Sequence, residues 1–159
     1  MPPVEVIETQ WTSAEVVART MKLHEAAGKT PAHVKKDVPG FIGNRLQHAL
    51  WREAIALVEQ GICDAETVDA VVKASLGRLP VLGPLENADL VGTDLTLAIH
   101  NTVLPAIDSR PEPSPYLQKL VATKKPGFKS GEGFRRWSPD EQMTLRAKLA
   151  NHLKSMRDR

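Results

Sequence analysis

A proline and a glycine in succession, Pro39-Gly40, divide the chain and constrain its fold more than any other feature. Proline disfavours helical dihedrals at Val38 and has no N–H for a strand ladder, while glycine accepts dihedrals that other residues avoid, so a sharp turn is predicted here. A helix follows at once. Phe41, Ile42, Leu46, Ala49, Leu50, Ile55, Leu57 and Val58 recur mostly every three to four residues, and Gly61 stands where a helix stops. Arg45, Arg52, Glu53 and Glu59 interrupt the apolar stripe, which argues against a membrane span. Asn44 lies at the positive end of this helix. It reads either as a local cap or as a short arm holding a hydrogen-bonding group clear of the packed face.

Before the turn, Val4-Glu-Val-Ile7 alternates like a short strand. Thr12-Ser-Ala-Glu15 reads as a capping box for a helix running to about Ala27 and ended by Gly28, and Thr30-Pro-Ala-His-Val-Lys-Lys36 reads as a second strand. After the turn the pattern is helical. Asp64 caps a segment carrying Val68, Val71, Val72 and Leu76, and Thr93 or Asp94 opens another through Leu95, Leu97, Ile99, Val103 and Leu104. Ser109-Arg-Pro-Glu-Pro-Ser-Pro115 is a proline-rich connector, and Ser138-Pro-Asp-Glu141 opens a final helix through Leu145, Leu149 and Leu153. At 159 residues and 42% hydrophobic, the chain is expected to bury one substantial core.

The composition narrows the function classes. The net charge of +2 and the interspersed acids do not indicate nucleic-acid binding, and no apolar run reaches membrane-spanning length. Cys63 is the one cysteine and nothing resembles a secretory signal, which favours a cytoplasmic setting. His24, His33, His100 and His152 are scattered; Asn44 and His48, one helical turn apart, lack a third ligand, so no metal is assigned. Cys63 is a poor candidate for a reactive thiol. Lys124, Lys125 and Lys129, beside Gly127-Phe-Lys-Ser-Gly-Glu-Gly133, read as a solvated loop or as contacts for phosphate groups.

The run Lys35-Lys-Asp-Val-Pro-Gly-Phe-Ile-Gly-Asn-Arg45, with Arg52-Glu-Ala54 and Leu57-Val-Glu-Gln-Gly61, resembles the hinge and first helix of the C-terminal domain of L-3-hydroxyacyl-CoA dehydrogenases. Gly77-Arg-Leu-Pro-Val-Leu-Gly-Pro-Leu-Glu86 with Asp89-Leu-Val-Gly92, Pro115-Tyr-Leu-Gln-Lys-Leu-Val121 and Lys129-Ser-Gly-Glu-Gly-Phe134 resemble later family motifs in order. Departures are Leu85, where the family often has Phe, Arg135, where it commonly has an aromatic residue, and the tail beyond Trp137.

The resemblance implies a mainly α fold: a 6-phosphogluconate-dehydrogenase-like C-terminal helical domain preceded by a short β-α-β remnant of a Rossmann domain. It implies residues 1–38 as that remnant, 39–137 as the substrate and dimerisation domain, and 138–159 as a helical extension. The implied activity is NAD-dependent oxidation of a 3-hydroxyacyl-CoA to the 3-ketoacyl-CoA. Glu5 is matched to the acidic partner of the catalytic His, and Asn44 to a substrate-contacting residue. Taken without the resemblance, Glu5 is a solvent-facing strand residue. The catalytic His and the glycine-rich NAD turn are expected upstream of Met1, so that this chain binds no cofactor and is inactive alone. A homodimer through the helices is also implied. The alternatives are a non-catalytic helical dimerisation module and a dehydrogenase of a small hydroxy acid.

Overall fold

The computed structural model describes residues 3–77 and 79–157. Two parallel strands, β1 (Pro3–Ile7) and β2 (Thr30–Val34), flank helix α1 (Ala14–Ala26), and seven-helix architecture is completed among the described residues by α2 (Gly43–Glu59), α3 (Ala65–Ser75), α4 (Pro84–Val91), α5 (Thr93–Val103), α6 (Pro115–Ala122) and α7 (Pro139–Arg157). The mainly α fold with a β-α-β unit at its front is therefore present. By contacts the chain forms two compact units, Met1–Ala49 with Pro139–Arg159, and Leu50–Ser138.

In the first unit the register pairs Glu5 with Ala32 and Val6 with His33. Val6, Val17 and Val34 are its buried apolar residues, so α1 closes over the strand pair through a small valine contact. Ser13 is the N-cap of α1, its hydroxyl accepting the Val16 N–H at 3.3 Å. This corrects the expected box by one residue: Thr12 instead bonds Thr9, hydroxyl to hydroxyl at 2.9 Å. Gly28, at φ 68°, reverses the chain after α1 as its sequence position predicts.

In the second unit Asp64 caps α3 by accepting the Thr67 N–H at 2.8 Å; hydrogen bonds from the Thr67 side chain and then its backbone hold the carboxyl below the ordinary pKa. The Gly83-Pro84-Leu85-Glu86 turn opens a helix, α4, with the Glu86 carboxylate accepting the Gly83 N–H at 2.7 Å. Proline at the first helical position and an acid three residues after the cap that accepts the cap's own N–H explain why a turn motif nucleates a helix. Helices α4 and α5 pack against each other across Gly92.

The expected substantial core is not formed. Only Ala56 and Leu120 are buried apolar residues among the described part of the second unit, while Leu85 is 80% and Leu90 73% exposed. Val71, Leu95, Leu97, Ile99, Leu104 and Val121 are exposed as well. Periodicity correctly marks one face of each helix as apolar, but these helices leave that face open. No helix among the described residues is long and apolar enough to cross a membrane.

Candidate functional site

Helix α2 has no acidic residue in its first turn, and its leading N–H groups have no intrahelical acceptor. A carboxylate from elsewhere fills that role. Glu5, in the middle of β1, accepts the Ile42 N–H at 2.8 Å and the Gly43 N–H at 3.0 Å, both on Oε1. Negative charge at the positive end of a helix is favourable, and a carboxylate taking two backbone donors makes charge-assisted bonds. The strand thus grips the helix opening across 37 residues of sequence.

The approach depends on an unusual backbone. Gly40 has φ 79° and Phe41 φ 45°, two left-handed residues in succession. Glycine adopts this region freely, but a residue with a Cβ pays about 1–2 kcal/mol. Phe41 therefore cannot begin the helix, which starts at Gly43 rather than at Phe41. A Cβ at Gly40 would also stand 3.3 Å from Arg45 Cγ. The turn aims the Ile42 and Gly43 N–H groups at β1, and Asn44 follows directly. Its side chain is exposed and has no hydrogen-bond partner among the described residues. The two predicted site residues are brought to one helix end: Glu5 bonds the backbone just before Asn44, leaving Oε2 without a partner among the described residues.

Motif residues on α2 turn out to hold the proline-rich connector. Glu59 Oε2 accepts from Arg110 at 2.6 Å and from the Ser114 hydroxyl at 3.1 Å, and its Oε1 accepts the Tyr116 N–H at 3.2 Å. Arg110 also donates to Asp108 through Nε and a terminal nitrogen, the shortest at 2.7 Å, while the Asp108 N–H donates to Glu53 Oε2 at 2.6 Å. The Arg110 hydrogen bonds lower both the Glu59 and Asp108 pKa values and raise that of Arg110. Asp108 has only 5% of its side chain exposed. Glu53 and Glu59, which read from sequence as interruptions of an apolar stripe, are acceptors for a loop about fifty residues on. Nothing local to Arg52-Glu-Ala54 or Leu57-Val-Glu59 marks this role in the sequence.

At the glycine-rich end, Lys125 pairs with Glu132 at 2.7 Å, lowering the Glu132 pKa; Lys124 and Lys129 are exposed. Arg135 stacks on Trp137, 3.5 Å from the ring centroid, lies 3.4 Å from Glu66, and leaves Nε buried without a partner. His33 pairs with Glu8 at 2.8 Å. Among the described residues no cluster of three or more His, Cys, Asp or Glu could hold a metal ion.

A dinucleotide pyrophosphate needs free backbone N–H groups and a glycine turn that lets it approach. Residues 8–13, joining β1 to α1, contain no glycine. The Thr12, Thr9 and Ser13 hydroxyls already accept the Thr9, Trp11 and Val16 N–H groups respectively, and Glu8 adds negative charge nearby. This β-α-β unit does not fit a pyrophosphate.

Comparison with known proteins agrees with this layout. Residues 40–137 match the model of the 3-hydroxyacyl-CoA dehydrogenase C-terminal domain, and residues 1–38 that of the 3-hydroxyacyl-CoA dehydrogenase NAD binding domain. The chain is 35% identical over 158 residues to 5-formyl-3-hydroxy-2-methylpyridine 4-carboxylate 5-dehydrogenase of Mesorhizobium japonicum, covering 99% of this chain and 51% of that protein. It is 40% identical over 139 residues to the mitochondrial hydroxyacyl-coenzyme A dehydrogenase of Homo sapiens, covering 86% and 43% respectively. A crystal structure described as that of the 5-formyl-3-hydroxy-2-methylpyridine 4-carboxylic acid 5-dehydrogenase, an NAD+ dependent dismutase, superposes with a TM-score of 0.91 at 35% identity, covering 98% of this chain and 51% of that one. The chain spans about half the length of the curated relatives it matches. With the C-terminal domain model matched over residues 40–137, more than half of its length, the chain belongs to the 3-hydroxyacyl-CoA dehydrogenase family.

Proposed function

We propose that this chain supplies the substrate side of an NAD-dependent dehydrogenase that oxidises a 3-hydroxyacyl-CoA to the 3-ketoacyl-CoA. The observation that carries the reading is the meeting of Glu5 with the opening of α2 beside Asn44. Glu5 Oε2 is the free acceptor that orients the catalytic imidazole and stabilises its cation while the imidazole holds the hydroxyl proton. Asn44 directs its amide at the substrate oxygen whose bonding changes. NAD belongs to the intact enzyme, and the loop of residues 8–13 does not fit its pyrophosphate, so the chain by itself is inactive. Two measurements test this. Purified chain with NAD and 3-hydroxybutyryl-CoA gives no turnover above background, and turnover would overturn the inactivity. In the intact enzyme Asn44→Ala lowers kcat by about 100-fold, the scale of losing one transition-state donor; an unchanged kcat removes Asn44 from the site.

A second reading, a dehydrogenase of a small carboxylate, is favoured by one observation. The pyridine-carboxylate relative is matched over 99% of the chain, α7 included, whereas the family model stops at residue 137. Comparing kcat/KM of the intact enzyme for 3-hydroxybutyryl-CoA and for that pyridine carboxylate separates the two.

We further propose a homodimer that covers the open apolar faces of α3 to α6. At about 25 cal/mol per Å², such faces are costly to leave in water. A symmetric partner presents the same face in return.

A further inference from the structure

We propose that Glu5 is a positioning residue for the substrate side as well as for the base: its Oε1 latches the opening of α2 and so sets where Asn44 stands. The inference rests on the reading of Glu5 and Asn44 given above and adds a physical link between them. Three observations carry it. Both bonds, at 2.8 and 3.0 Å, land on one oxygen and on the two backbone groups immediately before Asn44. The Phe41 backbone sits at φ 45°, a conformation that persists only when its surroundings impose it, and Ile42 is the next residue. No acidic residue in the first turn of α2 offers a substitute.

One carboxylate thereby divides its two oxygens between two tasks. Oε1 fixes the helix carrying the amide, and Oε2 stays open for the imidazole. The relative placement of base and amide is then set by one rigid group on a β-strand rather than by the Pro39-Gly40 turn, which has conformational freedom of its own. Productive geometry needs that accuracy, because small misplacements of reacting groups are costly in rate.

Amide hydrogen exchange on the chain tests the latch without any activity. Leading helical N–H groups ordinarily have no intrahelical acceptor and exchange readily. In the unmutated chain the Ile42 and Gly43 amides are protected; exchange at the rate of an unstructured peptide overturns the proposal. Glu5→Ala speeds exchange at both amides by about tenfold or more, while Glu5→Gln, whose amide oxygen still accepts, keeps most of the protection. Equal exchange in all three proteins also overturns it. In the intact enzyme Glu5→Gln lowers kcat with KM within about twofold, as expected for loss of charge alone, whereas Glu5→Ala raises KM as well. Equal KM in the two variants overturns the positioning role. Protected amides together with an unaffected kcat in Glu5→Gln would leave the latch standing and remove Glu5 from the proton chemistry, so the two readings fail separately.

Discussion

Arg110 holds Glu59 and Asp108 at once, and both carboxyls ionise more readily in the folded chain than in ordinary surroundings because of it. The unfolded chain therefore binds more protons in the acid range. Stability from the pair is complete above the ordinary carboxylate pKa, near pH 4, and is lost as pH falls through the lower folded values. Thermal melts across pH check this: Tm of the unmutated chain falls more steeply below about pH 4 than that of the Glu59→Gln, Asp108→Asn double variant. Parallel curves would contradict the sign. A second residue-scale outcome concerns Gly133, where a Cβ would stand 2.8 Å from Gly127 Cα. Backbone cannot swing aside as a side-chain tip does, so Gly133→Ala costs about 1–3 kcal/mol in a denaturant titration. Neither feature is legible from sequence. Glu59 and Arg110 are 51 residues apart, and a glycine reveals its neighbours only once the loop has closed.

At the scale of elements, local rules account for much of the chain. Ser13, Asp64 and Ser114 each accept backbone N–H groups at the start of a helix. Ser13→Ala lowers stability by about 1 kcal/mol in the same titration, and Thr12→Ala by less, because the cap belongs to Ser13. An equal or larger loss at Thr12 would return the cap to the residue that the sequence pattern favoured. Pro39-Gly40 is equally legible, since its turn follows from restricted and permissive dihedrals in adjacent residues. The start of α2 is not. Apolar spacing places Phe41 in the helix, and only the left-handed backbone imposed by the turn excludes it. Glu5 shows the same limit from the other side: a lone acid between valines has a solvent-facing reading until β1 is seen against the opening of α2.

For the whole molecule, periodicity identifies which faces are apolar but not what covers them. The expectation of a closed oily interior fails on that point, with Leu85, Leu90, Leu97 and Val121 open to solvent. Sedimentation velocity at micromolar concentration is expected to give a dimer, and Leu90→Glu a monomer with unchanged helix content; a monomeric unmutated chain would contradict the covering partner. The family and the helical architecture were legible because several ordered motifs fall along one chain, each tied to a local turn or cap. The most direct test of the substrate-side reading is a titration of isotopically labelled chain with acetoacetyl-CoA, followed by the backbone and side-chain amide resonances. The largest changes are expected at Ile42, Gly43 and the Asn44 side chain, and are lost in Asn44→Ala. Changes that leave the opening of α2 untouched would contradict it.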